Sequence, residues 1–482
     1  MGEFTPMMQH YLQTKEEYKD CILFYRLGDF YEMFFDDAKI VSKELEITLT
    51  GKSCGMEERA PMCGVPYHAI DSYLTRLVKL GYKVAICEQV EDPKFAKGIV
   101  KREVTRIVTP GTNMDTLSLD ESKNNYLMGI VYTENRFGIS FADVSTGDFY
   151  VTEVASARKL MEEVYKFSPS EIICNEALFM SDVPIDQLKD QMHISISSLE
   201  SFYFDDTAAI DVLKKHFHVN HMEGLGLKDY DTAVIAAGAT LSYLYDTQKT
   251  NLSHINHITP YSNGNFMLID SSTRRNLELT ETMRDKEKRG SLLWVLDQTK
   301  TAMGARLLRT YIEAPLISKS EIEERLDAVE ELLSDMITRE ELREYLNPVY
   351  DLERLVTKII YQTANPRDLL AFKNSIEVLP AIVTILGDFK ASAICDIKNQ
   401  LDPLIDLCTS IQNIISEDAP VSVHDGGIIK DGFSEELDLL HRSKTEGKQW
   451  IADLEEKERE KTNIKNLKVK FNKVFGFYRI IQ

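Results

Sequence analysis

Near Thr259 the chain changes its hydrophobic period, and no single layered core accommodates the two patterns. Before that residue, compact apolar runs such as CILFYRL, YKVAICEQV and NYLMGIVYT are separated by segments whose apolar residues fall three and four apart. After it, helical spacing takes over. SLLWVLDQTKTAMGARLLRTYI places Leu292, Val295, Leu296, Met303, Leu307 and Leu308 at helical offsets, and KSEIEERLDAVEELLSDM, RDLLAFKNSIEVLPAIVTIL and SEELDLLHRSKTEGKQWIADLEEKEREK continue the pattern. The chain therefore reads as multidomain, with α/β modules first and an extended helical body after them; 482 residues also exceed what one core serves.

Within the first module the pattern predicts a helix over PMMQHYLQTKEEYK, a strand at CILFYRL, a helix from about Phe30 to Leu45 and a strand at EITLT. A helix in AIDSYLTRLVKLG and strands in YKVAICEQV and EVTRIVTP complete it. The polar, turn-rich GTNMDTLSLDESKNN is a linker. NYLMGIVYTENRFGISFADVSTGDFYVTEV then reads as a β-meander, and helical patterns follow toward Gln248. The last helix, of roughly 28 residues, has a weak apolar stripe and many charges, as a projecting arm would. LKVKFNKVFGFYRII alternates into a hairpin, and the chain stops inside an apolar strand, which predicts an unfinished unit.

The tetrapeptide GDFY occurs twice, at residues 28–31 and 147–150. In the second copy Phe149 and Val151 share one face of a strand while Asp148 and Tyr150 share the other, so strand core accounts for it. The first copy continues to Glu32 where the second has Val151. Read as a helix, its Tyr31, Phe34, Phe35, Ala38 and Val41 form a buried stripe, leaving Phe30 at the helix start with Glu32 beside it.

Composition and motif chemistry remove several classes. A net charge of −21 argues against nucleic acid on the sum, yet Lys94, Lys97, Lys101, Arg102 and Arg106 cluster before Pro110, and Lys461, Lys465, Lys468, Lys470, Lys473 and Arg479 cluster at the end. Seven scattered cysteines without a CxxC pair argue for free thiols, and His216, His218 and His221 have no acidic or cysteine partner nearby for a metal. GKS at Gly51–Ser53 has Glu46 where a phosphate loop needs glycine, and GLGLKD has Asp229 where a dinucleotide fingerprint needs its third. Asp143 and Asp148 on one hairpin do not by themselves make a two-metal nuclease. No GxSxG, HExxH or kinase set occurs, so no catalytic residue is assigned. The start lacks a signal-peptide pattern and AVIAAGATLSYLY is too short and polar to span a bilayer, which predicts a cytoplasmic protein without membrane contact.

RLGDFYEMFFDDAKIVSKELEITLT, followed by APMCGVPYHAIDSYLTRLVKLGYKVAICEQVEDP and EVTRIVTPGT, closely resembles the mismatch-recognition domain of the bacterial MutS family. The resemblance continues through LIDSSTRRNLELT and GSLLWVLDQTKTAMGARLLRTYIEAPL to LKVKFNKVFGFY, covering essentially the whole chain. It implies an α/β mismatch-recognition domain (1–112), a linker (113–124), an α/β ribonuclease H-like connector (125–258), an all-α lever and core (259–445) and the start of a β-rich clamp (446–482).

The resemblance further implies DNA mismatch repair: double-stranded DNA with mispaired or unpaired bases and small loops, probed from the minor groove by Phe30 with Glu32 hydrogen-bonding a base. An aromatic wedge that unstacks one step costs about a few kcal/mol, least where pairing is already defective. Glu32, partly desolvated beside phosphates, is expected to gain a proton and become a donor. Arg59, Arg76, Lys468, Lys470 and Lys473 are candidate backbone contacts, and GVPYHA resembles the loop beside the wedge. Family members couple recognition to ATP and Mg2+ in a further ATPase domain, form homodimers, and act with a MutL-type partner near the nucleoid. No phosphate loop is found in this sequence, which predicts a non-enzymatic, truncated portion of such a protein without cofactors of its own. The alternatives are an inactive DNA-binding fragment, a recombination-associated relative, which would dispense with the Phe-x-Glu module, and a nuclease built on the connector.

Overall fold

The computed structural model describes residues 4–481 apart from 92–99, 116–117, 135, 263, 265, 463, 465–466 and 473–475; at 443–446, 448–450, 471–472 and 476–481 it describes the backbone alone. The first helix, α1 (Pro6–Glu17), starts where Thr5 caps the Met8 amide and Pro6 supplies a pre-set φ. After it come β1 (Ile22–Leu27), β2 (Phe30–Phe34), α2 (Phe35–Leu45), β3 (Thr50–Lys52), β4 (Ala60–Pro66), α3 (Ile70–Lys79), β5 (Val84–Gln89) and β6 (Arg102–Val108). The strands form one sheet in the order β3-β4-β2-β1-β5-β6. Only β1 and β5 run parallel, because α2 and α3 make the crossover between them.

Each face of this sheet buries its own core. Phe24, Tyr31, Met33, Val65 and Ile86 meet Ala38, Val41 and Leu45 of α2 and Leu74, Leu77 and Val78 of α3. On the other face Leu23, Tyr25, Phe34, Ala85 and Cys87 meet Met8 and Tyr11 of α1. Each such side chain contributes about 1.5–3 kcal/mol when fully buried, so the double-sided sheet is a rigid support.

Two expectations are corrected here. The helix expected from about Phe30 begins at Phe35, because residues 30–34 pair with both β1 and β4. Aromatic residues suit a pleated surface, and two ladders of backbone hydrogen bonds outweigh the helical pattern. The chain stays extended through Phe34 (φ −127°, ψ 162°) and turns at Phe35 (φ 54°) into α2. The strand expected at EITLT is displaced to Thr50–Lys52, with Ala60–Pro66 as its partner.

The next sheet holds β7 (Leu127–Thr133), β8 (Arg136–Asp143), β9 (Asp148–Val154), β10 (Glu171–Cys174), β11 (Ser195–Ser198) and β12 (Thr259–Pro260), in the order β11-β10-β7-β8-β9-β12. β7, β8 and β9 form the expected antiparallel meander, and Phe149 and Val151 of the second GDFY copy are fully buried. α4 (Ala157–Phe167) and α5 (Ile185–Met192) cover one face; α6 (Asp206–Phe217) and α7 (Asp231–Gln248) cover the other. At Gly138 a Cβ would lie 2.1 Å from the Thr232 carbonyl oxygen, so only glycine lets α7 sit this close to β8. Buried Glu171 joins the two sheets' regions: it accepts from the Thr109 hydroxyl, the Gly111 amide (3.0 Å) and the Tyr243 hydroxyl (2.8 Å).

Helices follow: α8 (Ser271–Asn276), α9 (Leu292–Leu296), α10 (Ala302–Glu313), α11 (Lys319–Ser334), α12 (Met336–Leu346), α13 (Leu352–Ile360), α14 (Pro366–Glu377), α15 (Leu379–Leu386), α16 (Ser392–Gln400), α17 (Ile405–Ile414) and α18 (Glu435–Thr462). The helical run expected over residues 291–312 is broken between α9 and α10. Asp297 pairs there with Lys288, and Thr301 restarts the helix by accepting from the Gly304 amide at 3.0 Å. By contacts the chain divides into two compact units, residues 1–364 with 380–401, and 365–379 with 402–482. In the first, Arg306 of α10 is bonded to Asp351 (2.7 and 2.8 Å) and Glu353 (2.6 Å) at the start of α13 and to the Glu121 carbonyl (2.9 Å). In the second, the 28-residue α18 supports the expected hairpin of β13 (Leu467–Asn472) and β14 (Gly476–Ile481), with Arg459 donating to the Leu467 carbonyl and Glu455 accepting from the Val469 amide. The stretch Pro366–Leu386 has the length and hydropathy (1.6) of a membrane span, but it is divided into α14 and α15, and one such stretch is also what a core helix pair looks like.

Candidate nucleic-acid interface

β1 and β2 are joined by two residues, Gly28 and Asp29, with Leu27 opposite Phe30. Gly28 takes φ +60°, the positive value that the first residue of a tight hairpin of the II′ kind demands. Strand alternation then decides which side chains emerge. Tyr31 and Met33 point into the core under α2 and α3, while Phe30, Glu32 and Phe34 share the opposite face. Along that face burial falls steeply toward the hairpin: Phe34 is enclosed beside α1, Glu32 is half-buried, and Phe30 is 47% exposed. A large aromatic ring therefore stands at the tip of a strand whose other residues are locked into a two-sided core.

The neighbours hold that tip in place. Pro66 is opposite Phe30 and Gly64 opposite Glu32 on β4, and the Tyr67 amide donates to the Asp29 carbonyl at 2.9 Å. A Cβ at position 64 would meet the Tyr31 carbonyl at 3.2 Å and the Glu32 Cγ at 3.5 Å, so the glycine of GVPYHA makes room for Glu32. The Arg26 guanidinium stacks 3.9 Å from the centre of the exposed Tyr67 ring, donates to the Gly28 carbonyl, and lies 3.8 Å from Glu88. Tyr31 donates its hydroxyl to the same Glu88, and burial together with that carboxylate pushes the phenol far up, keeping it a donor. Arg102, buried, donates to the Arg26 carbonyl at 2.7 Å.

Glu32 is bound by Lys52 of β3, Oε2 to Nζ at 2.5 Å, and the same ammonium lies 5.8 Å from the Phe34 ring centre. Lys52 is the residue that sequence reasoning missed: it sits in the GKS that fails as a phosphate loop. The two positions are twenty residues apart (52 − 32 = 20), and only the β3-β4-β2 pairing brings them together.

Arg59, just before β4, is exposed and packs beside Gly51, its Cβ 3.2 Å from where a Cβ at that position would stand. Arg76 is exposed but belongs to α3 on the other face, where it donates to the Glu44 and Leu45 carbonyls at the end of α2, both at 3.3 Å. Lys468 and Lys470 are exposed and alternate onto one face of β13, within the second unit. Lys94, Lys97, Lys465 and Lys473 lie outside the described residues.

Of the acids and histidines weighed from sequence, Asp143, Asp148 and His216 are occupied locally. Asp143 accepts from the Ser145 amide (2.8 Å) and hydroxyl (2.7 Å) and from Asn124 and the Asn125 amide, which makes it the organiser of a turn. Asp148, raised by burial and by Asp143, accepts from Asn124, Thr146 and Tyr150. His216 bonds the Tyr245 hydroxyl at 2.7 Å and the Ile255 carbonyl at 2.6 Å, while His218 and His221 are exposed.

Against known families, the chain matches MutS domain I over residues 5–116, MutS domain II over 125–256 and MutS domain III over 272–479. It is 60% identical over 478 residues to the DNA mismatch repair protein MutS of Lachnoclostridium phytofermentans, covering 99% of this chain and 51% of the relative. It is 53% identical to the proteins of that name from Ruminiclostridium cellulolyticum and Acetivibrio thermocellus, in each case over 99% of this chain and 55% of the relative. The chain thus spans about half the length of the curated relatives it matches.

Proposed function

The chain belongs to the MutS family, and from that premise we propose that it binds duplex DNA and selects mispaired or unpaired bases through Phe30 and Glu32. The observation that carries this reading is the Phe30 ring, 47% exposed at the end of a braced strand instead of lying in its own domain's interior. A rigid ring can enter the minor groove and stack on a base without first unfolding its support. The unstacking it forces costs about a few kcal/mol on paired DNA and less at a defect, so deformability selects the site. Glu32 emerges on the same face two residues on, on the side where the wedge opens a base edge to hydrogen bonding.

Arg59, Arg76, Lys468 and Lys470 contact the sugar-phosphate backbone and set the salt dependence; Lys473 belongs to the same proposal. These contacts position the duplex but carry no sequence information. Residues 1–112 form the recognition domain, 113–124 a linker, 125–258 a ribonuclease H-like connector, 259–445 the lever and core, and 446–482 part of the clamp. For a protein of the relatives' full length, the proposal extends to coupling of recognition to ATP and Mg2+, to a second copy of the chain and to a MutL-type partner in the cytoplasm near the nucleoid. The residues present do not fit ATP at the GKS sequence: it lies at and just beyond an edge strand whose lysine is bound to Glu32.

The test is a titration of mismatched and fully paired duplexes with the wild-type chain and with Phe30→Ala. The alanine variant is expected to bind both duplexes alike; an undiminished mismatch preference refutes the wedge. Glu32→Gln, which keeps the side chain's length and a hydrogen-bonding head, is expected to retain most of the mismatch affinity.

A further inference from the structure

We propose that Lys52 is a latch on Glu32 that opens only on defective DNA, passing from the carboxylate to a backbone phosphate when Glu32 turns to the base. The inference rests on the mismatch reading above and adds a positioning residue to it. The Lys52 ammonium lies 2.5 Å from Glu32 Oε2, with side chains 34% and 15% exposed. Its aliphatic stem comes from edge strand β3, on the sheet face from which Phe30 emerges, and its head lies over Phe34 between the core and solvent. About a third of the Lys52 side chain remains exposed, and its charge is satisfied while the pair is closed.

Two consequences follow from charge alone. With the pair closed, the site presents no uncompensated carboxylate to passing phosphates, so paired DNA is scanned without repulsion, and Lys52 releases no counterion. Where Phe30 opens a defective step, the Glu32 carboxyl acquires a better partner in the exposed base edge. Lys52 is then free, already at the rim of the groove, and neutralises one phosphate. Each phosphate neutralised steepens the fall of log Kobs with log salt by about 0.9. Mismatch binding is therefore steeper in salt than homoduplex binding by about that one increment.

The experiment measures log Kobs against log salt for a mismatched and a paired duplex, using the full chain with no substitution and with Lys52→Met, Lys52→Arg, Glu32→Gln and Phe30→Ala. The unsubstituted chain is expected to show the difference in slope. Lys52→Met, which keeps the stem, is expected to lower the mismatch slope by about one and leave the homoduplex slope unchanged, whereas Lys52→Arg restores the difference. Glu32→Gln frees Lys52 for either duplex and is expected to raise the homoduplex slope to the mismatch value. Equal slopes in the unsubstituted chain, or a Lys52→Met effect that is the same on both duplexes or absent from both, overturn the latch. A Phe30→Ala chain that keeps its mismatch preference overturns the wedge instead, and an unsubstituted chain with no preference at all overturns both.

Discussion

Replacing Gly28 by alanine isolates the backbone conformation that aims Phe30. A Cβ at this position meets nothing within 4 Å, so alanine introduces no clash, and its whole effect comes from φ +60°. Holding an L-residue there costs about 1–2 kcal/mol. That strain has two outlets. If the β1-β2 hairpin keeps its shape, the full amount appears as easier opening of the module; if the turn relaxes, the remainder appears as weaker mismatch binding, because the competent hairpin is less populated. The two losses together are expected to total about 1–2 kcal/mol, a factor of roughly five to thirty. Hydrogen exchange on a peptide covering residues 22–34 reads the first, and titration with a mismatched duplex reads the second, both on the full chain. A Gly28→Ala chain with unchanged exchange and unchanged affinity refutes the turn geometry on which the pose of Phe30 depends.

Other outcomes follow from burial. Cys21, Cys63, Cys87 and Cys174 are buried, and desolvation pushes each thiol to about 12, so a thiol reagent at pH 8 is expected to label Cys395 and then Cys408 in the native chain and these four only after denaturation. His254 donates Nε2–H to the Val144 carbonyl at 2.9 Å with the Tyr361 ring beside it, and burial lowers it from 6.5 to about 4. The unfolded chain thus binds this proton below pH 6.5 while the native one resists until about 4, so the stability present above 6.5 is lost as pH falls through that window, by up to about 3 kcal/mol. Thermal unfolding of the chain between pH 7 and 4 checks it, and His254→Gln should flatten that part of the profile.

Where the sequence was read well, local pattern and final environment agree. The second GDFY copy alternates, and Phe149 and Val151 are buried as that alternation requires. The first copy alternates too, but it also carries a helical stripe toward Val41, and only pairing with β1 and β4 decides for a strand. β4 went unseen because Pro61, Gly64 and Pro66 disguise a strand, although each has a place: Pro66 at the strand end and Gly64 opposite Glu32. The break at Asp297–Thr301 had a visible cap in Thr301, which the strong apolar spacing on both sides obscured. The family likeness singles out Phe30 and Glu32 as a candidate pair, and the strand gives them a common face that a helix start would not. Lys52 was not legible at all, since nothing local to GKS announces a partner twenty residues earlier (52 − 32 = 20) across two strand pairings.

The most direct measurement is the bend of a mismatched duplex in the complex, read as energy transfer between dyes at its two ends at saturating protein. An inserted Phe30 ring unstacks a step and kinks the helix, so the ends are expected to approach with the wild-type chain and to stay as far apart as in free DNA with Phe30→Ala. A bend of the same size with the alanine variant contradicts the account.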